Sequence, residues 1–242
     1  MTAWNRIQRT QRTAKLGEII ALPTPTKPVL LLLDAKHFRI QKITYTLYVA
    51  FDATHCRPLC WVLLPRYELR SGYDLLLSFL QSKQCRIYAV VSDWHKGLRA
   101  SVSDHHPNLV HQRCAAHVLQ EVLRRLGGKR WITTGYGQEH WPIFRKIALE
   151  FQTEQEAENY LVIMKRKYPL YYRGYRVLEK ALPGIYQFTK SEKVVVRTSN
   201  RIENFMGILE QRLKTFRGMK TPETLIQIVS SFIKIKYKRP TN

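Results

Sequence analysis

The chain has 242 residues, 45% of them apolar, and carries 40 lysines and arginines against 18 aspartates and glutamates, a formal net charge of +22. The apolar share excludes a disordered chain, and the length is enough for one large domain or a core with an insertion. The charge points to a polyanionic partner, most often nucleic acid, because lysine and arginine release counterions from phosphates; the plainer reading is a basic surface without such a partner. No apolar run approaches the ~18 residues of a membrane span, and no secretory h-region is found, so no membrane association is expected. Cys56, Cys60, Cys85 and Cys114 form no C-x-x-C pair, which suits a reduced, intracellular protein, in the cytoplasm or nucleoid if prokaryotic.

Residues 1–28 read as a basic arm that ends in the extended connector Pro23-Thr-Pro-Thr-Lys-Pro28. Pro28–His37 opens on an apolar run and predicts a central strand covered on both faces. Ile43–Asp52, rich in β-branched and aromatic residues, predicts a second strand, and Leu59–Leu64 a third; short connections make the three an antiparallel meander. Ser71 caps a predicted helix over Tyr73–Ser82. A strand to Ser92, a short helix near His95–Ser103 and a strand at Leu109–His111 follow. That order predicts an α/β fold with a mixed sheet, the meander extended by parallel strands and flanked by helices.

From about Cys114 to Phe188 the periodicity is helical. Thr153-Glu-Gln-Glu156 is a capping box opening a helix to Lys167. A further helix over Tyr171–Leu182 is expected to stop at Pro183-Gly184. This stretch reads as an all-helical insertion into the α/β core. The chain closes with a helix over Asn200–Phe216, ended by Gly218, and another opening at Thr221-Pro222-Glu223. The expected organisation is therefore an arm over 1–28, the first part of the core over 29–117, the insertion over 118–197, and C-terminal helices over 198–242 that complete the core.

Three acidic residues stand out on so basic a chain. Asp34 follows the apolar run Val29–Leu33, Asp93 follows Ile87–Ser92, and Glu203 opens the helix after Thr198-Ser-Asn. Two-metal phosphoryl chemistry needs carboxylates from separate segments around ions about 4 Å apart, and magnesium takes few carboxylates while keeping positions for water and phosphate. The plain readings are that each aspartate forms a turn and that Asn200 to Glu203 is a capping box. Ile202, Phe205, Met206, Leu209, Leu213 and Phe216 are expected to form the buried stripe of that helix, with Glu203 on its flank and Glu210, Lys214 and Arg217 further along it. Cations on that edge, with Arg201, suit DNA phosphates passing a metal site. Asp52 and Asp104 are rival carboxylates that read as loop residues. Cys114 and His117 share a helix face; with His111, and His105 or His106 as a fourth ligand, they would suit zinc, while small-residue packing is the plain alternative for Cys114. Trp94 either covers the core edge or stacks on a base or sugar. Lys165–Lys167 and Lys234–Arg239 read as phosphate contacts or solvated helix faces.

Four segments in this order resemble the DDE transposases of the mutator type and related bacterial insertion-sequence enzymes: Leu-Leu-Leu-Asp34-Ala-Lys-His-Phe; Val-Val-Ser-Asp93-Trp-His-Lys-Gly97-Leu98; Pro107-Asn-Leu-Val-His-Gln112-Arg-Cys114-Ala-Ala-His117-Val; and Thr198-Ser-Asn200-Arg-Ile-Glu203-Asn. The resemblance covers about residues 29–235. It implies a ribonuclease H-like core interrupted by a helical insertion before the last acidic residue, in keeping with a spacing of 110 positions from Asp93 to Glu203 against 59 from Asp34 to Asp93. It further implies that Asp34, Asp93 and Glu203 bind two magnesium ions, or manganese, to cut double-stranded DNA at a transposon end and join the 3′-hydroxyl to target DNA. Cys114 and His117 match the C-x-x-H element of such enzymes, expected near the active site and touching DNA. Transposases commonly pair their ends as homo-oligomers, so self-association is expected. These enzymes usually carry an N-terminal domain that recognises terminal repeats; the short arm here predicts a truncated start, a separate partner, or end recognition through the insertion. The competing expectation is a truncated, catalytically idle DNA-binding fragment that regulates a full-length transposase.

Overall fold

The computed structural model describes residues 15–66, 70–191, 193, 195–215 and 221–237. Phe216, Arg217, Gly218 and the basic residues beyond Tyr237, singled out from the sequence, lie outside them. In chain order the elements are β1 (Ile20–Ala21), β2 (Val29–Ile40), β3 (Ile43–Asp52), β4 (Arg57–Pro65), α1 (Arg70–Ser82), β5 (Ile87–Ser92), α2 (Lys96–His105), β6 (Val110–Arg113), α3 (Ala115–Leu126), α4 (Lys129–Ile132), α5 (Gly135–Leu149), α6 (Glu154–Lys167), α7 (Tyr172–Ile185), α8 (Asn200–Thr215) and α9 (Pro222–Tyr237). Antiparallel and parallel strands are both present and helices flank them, the mixed α/β architecture expected from the sequence. The chain divides into two compact units: residues 1–86, 96–107 and 201–242, and residues 87–95 and 108–200.

In the first unit, β2 and β3 run antiparallel from Ile40↔Ile43 to Leu31↔Asp52. Gln41 and Lys42 join them, both at positive φ (49° and 68°), the two-residue geometry whose twist matches that of the flanking strands. β4 continues the meander with a register shift at Ala50/Phe51. The basic arm, in which no strand is expected, supplies one ahead of its connector: β1 pairs β4 through Ile20↔Trp61 and Ala21↔Cys60. Val29–Leu33 is buried throughout, as a strand covered on both faces must be. α1 covers one face. Tyr73 meets Tyr48 edge-on at 5.1 Å, and Gly72 lies so close that a Cβ there would stand 2.4 Å from the Tyr48 ring. α1 begins at Arg70, so Ser71 sits inside its first turn rather than capping it. α8 covers the opposite face, with Phe205 on Phe51 at 5.7 Å. α9 packs beside it, where Leu225, Ile226 and Val229 line a small cavity with Trp61 and Leu63. The expected cap of α9 is present, since Thr224 N–H donates to Thr221 Oγ1 at 3.2 Å.

In the second unit, β5 and β6 pair in parallel from Ala89↔Val110 to Ser92↔Arg113. α3 to α7 enclose a separate core that includes Val118, Val122, Phe144, Ile147, Leu161, Tyr175 and Leu178. Phe144 and Tyr175 stack at 4.8 Å. The capping box at the start of α6 is complete, with Glu156 N–H on Thr153 Oγ1 and Thr153 N–H on Glu156 Oε2. α7 runs through Pro183 to Ile185, past the expected stop. Gly184 marks a close approach instead, because a Cβ there would stand 2.8 Å from the Trp94 ring.

Candidate active site

Within the first unit, Asp34 and Glu203 belong to one layered contact. Side chains alternate along a strand, so Leu32, Asp34 and Lys36 share a face of β2. Leu32 pairs in register with Phe51, whose ring meets Phe205 of α8. At the other end of the contact, Lys36 Nζ lies 2.8 Å from Glu210 Oε2. Asp34 therefore stands between two points at which β2 and β3 hold α8. Glu203, in the first turn of α8, precedes Glu210 by seven residues, two helical turns, and so lies on the same side of the helix. Both carboxylates are half-buried. Asp34 Oδ1 accepts from Ala35 N–H at 2.8 Å.

Asp93, in the second unit, follows the last residue of β5 and is also half-buried. Its Oδ1 accepts from His95 N–H at 2.9 Å, while Trp94 N–H donates to Ser92 Oγ at 3.2 Å. Between these two bonds Trp94 takes φ +63°, a region that bulky side chains avoid and that surrounding structure must impose. What imposes it is packing: the indole lies against Gly184 and 5.6 Å from the His111 ring. Of the two sequence readings of Trp94, the structure shows the one in which it covers the core edge.

Cys114 ties three segments of the second unit together. Its N–H donates to Ser92 O at 2.7 Å, beside Asp93. Its Sγ accepts from Ser199 N–H at 3.2 Å and from Ser199 Oγ–H at 3.1 Å, and Ala115 N–H donates to Arg197 O at 2.8 Å. Ser199, which the sequence did not single out, is the residue before α8; a serine one residue ahead of a helical run was the available signal. Burial pushes the Cys114 thiol up, but hydrogen bonds with His117 and Ser199 outweigh it and hold the group below its ordinary range. Cys114 is fully buried, so it packs as well as bonds. Two of the other expected zinc ligands have partners elsewhere: His111 Nε2 lies 2.8 Å from Ser92 Oγ, and His105 meets Gln81 at 3.1 Å and Asp74 at 3.4 Å.

The rival carboxylates are occupied. Asp52 is completely buried and accepts from Thr54 N–H at 2.8 Å, His55 N–H at 3.2 Å and, at 2.6 Å, the His55 Nδ1. Asp104 lies on α2, not in a loop, and pairs with Arg70. Of the cations expected to meet DNA, Arg201 donates to the Ala53 carbonyl, and Lys214 lies 3.2 Å from Glu210 on an exposed helix edge. Lys36 first, then Lys214, hold the Glu210 carboxyl below its usual range.

Residues 62–234 match the family described as Transposase, Mutator family. That span takes in Asp93, Cys114, His117 and Glu203, while Asp34 precedes it. The transposase for insertion sequence element IS1201 of Lactobacillus helveticus is 19% identical over 201 residues, 80% of this chain and 53% of that protein. The chain thus spans about half the length of the curated relative it matches. The solved Drosophila P element transposase strand transfer complex is similar in fold, with a TM-score of 0.51 at 11% identity over 98% of this chain and 85% of that one. Among the described residues, no helix is long and apolar enough to cross a membrane. With the family model covering well over half of its length, the chain belongs to the Mutator family of transposases.

Proposed function

We propose that this chain catalyses divalent-metal-dependent cleavage of double-stranded DNA at the ends of a mobile element and transfer of the cut strand into target DNA. The single observation that carries the reading is the family match, which spans Asp93 and Glu203. The chemistry of the donors agrees with it. Asp34, Asp93 and Glu203 are half-buried carboxylates, Asp34 in the middle of β2, Asp93 just after β5 and Glu203 in the first turn of α8, and hard oxygen donors of that kind suit magnesium or manganese. Asp52, sealed in its turn, has no such capacity.

In this reading Asp34, Asp93 and Glu203 hold two ions, which when bound would activate the attacking oxygen and neutralise charge building on the phosphate. The residues themselves contribute placement. The His95 N–H fixes the Asp93 carboxylate, the Ala35 N–H fixes that of Asp34, and the first helical turn fixes Glu203. Cys114, with Ser199 on its sulfur, anchors the segment that enters α8. A water, and later the freed 3′-hydroxyl, forms a new P–O bond at the phosphorus and loses its proton as the bond to the departing 3′-oxygen breaks. The same reading includes self-association, since two ends must be joined together, and the interrupted core expected over 29–117, 118–197 and 198–242.

The test is nicking and strand transfer on oligonucleotides of the element's ends with magnesium, comparing the natural chain with Asp93→Asn. Cleavage and joining by the first and not the second is expected. Equal product from both would overturn Asp93-dependent catalysis, and none from either at saturating DNA would leave the idle-fragment alternative standing.

A further inference from the structure

A cleft of about 580 Å³ lies in the second unit between α3 and α7. Arg113, Arg125, Arg173, Arg176 and Lys180 line it, against Glu121 alone. Glu121 is already engaged: its carboxylate accepts from Arg124 Nε at 2.7 Å and Arg125 Nε at 2.8 Å. Arg173, Arg176 and Lys180 fall at i, i+3 and i+7 on the exposed side of α7, opposite the buried Tyr175, Leu178 and Leu182. Like charges at such spacings destabilise a helix, so the stripe does not serve the fold. The volume is far larger than one ion with its hydration shell needs, at about 30 Å³ per water.

The stripe also has a direction. Arg173 and Lys180 are seven residues apart, about 10 Å along a helix, which matches about three base-pair rises along a duplex axis at ~3.4 Å each. One turn beyond Lys180, Gly184 lies against Trp94 and the Arg113 Cβ, and Arg113 pairs in register with Ser92, the neighbour of Asp93. The cationic lining thus ends at the Asp93 corner, within a single unit.

We propose that the α3–α7 cleft is a DNA-binding track, in which Arg113, Arg125, Arg173, Arg176 and Lys180 grip the backbone phosphates of a duplex and lead one strand toward Asp93. This deepens the DNA-processing reading above and rests on it. Guanidinium groups spaced along a groove take successive phosphates without reading bases, so the track contributes affinity and placement rather than sequence choice.

The full chain is titrated onto a fluorescein-labelled duplex in EDTA, where no cutting occurs, over a range of salt concentrations. The variant R173A/R176A/K180A removes three exposed side chains outside the core. Its salt slope is expected to fall by up to about 2.7, at ~0.9 per lost phosphate contact, with weaker binding at every salt concentration. The charge-matched control K27A/K42A/K83A, on the other unit, should bind as the natural chain does. The variant R173K/R176K/K180R, which keeps the charge, should restore binding and guards against a folding defect, as does an unchanged melting temperature. A wild-type slope in the alanine variant, or equal loss in both charge-removal variants, overturns the track. If the cleft variant alone loses binding while the natural chain cuts no DNA with magnesium, the track stands and only the catalytic reading falls.

Discussion

Asp52 and Asp93 each close an apolar strand and lead into a turn, yet only the first is sealed by that turn. Asp52 has no exposed surface and receives two backbone N–H groups and a histidine ring nitrogen. Asp93 keeps partial exposure, receives the His95 N–H, and precedes a tryptophan forced to φ +63° by packing against Gly184. A buried carboxylate with its lone pairs filled is a structural member, because adding a ligand would require breaking those bonds. A half-exposed carboxylate such as Asp93 keeps lone pairs accessible, as the metal-binding role proposed above requires. Burial and bonding, not position after a strand, separate the two.

Substitutions can break that comparison. The largest effect is expected on activity: Asp93→Asn should lower DNA cleavage by at least about 10²–10³-fold, the range for removing one electrostatic stabiliser of a transition state, while the melting temperature stays put. Strand-nicking rates and a thermal melt check it together; a large loss of stability would place Asp93 in the same class as Asp52. For Asp52→Ala the pattern reverses. Removing a buried charged acceptor should cost about 3 kcal/mol, or about 6–12 °C in melting temperature for a chain of this size, with activity per folded molecule retained. An unshifted melt would mean that the turn does not depend on it.

Smaller effects sharpen the comparison around Asp93. Cys114→Ala removes the acceptor of Ser199 N–H and Oγ–H, and a buried donor left unmet costs about 1–3 kcal/mol. Differential scanning calorimetry should show that loss, partly recovered in Cys114→Ser, which keeps an acceptor; equal stability of all three proteins would remove Cys114 as an anchor. Smallest of all, Lys36→Ala should change stability by less than about 1 kcal/mol, because its ion pair with Glu210 is only half-buried and remains open to solvent screening. A larger change in a urea melt would mean that this pair does more than align β2 with α8.

Much of the architecture is legible in the amino-acid sequence alone. The apolar run of Val29–Leu33, the β-branched and aromatic residues of Ile43–Asp52 and the capping box at Thr153 each carry a local signal strong enough to fix an element. Where the local signal misleads, tertiary contacts overrule it. Pro183-Gly184 resembles a helix stop, but Gly184 answers to the Trp94 ring and the helix continues to Ile185. α5 is hidden because Pro142 lies inside it. Ile20–Ala21 is too short to carry a period and becomes a strand only through β4. The carboxylates are visible as residues after apolar runs, but nothing local can tell Asp52 from Asp93, since burial and hydrogen-bond saturation are properties of the folded chain. The α7 cations are visible too, as Arg173, Arg176 and Lys180 at one-face spacing, and need the facing Arg125 and Arg113 to form a cleft.

The most direct test of the central claim is anomalous diffraction from crystals of the protein grown with manganese. Two peaks about 4 Å apart, touched by carboxylate oxygens of Asp34, Asp93 and Glu203, are the predicted result. Manganese that avoids those three side chains, or a single ion held by other residues, would contradict it.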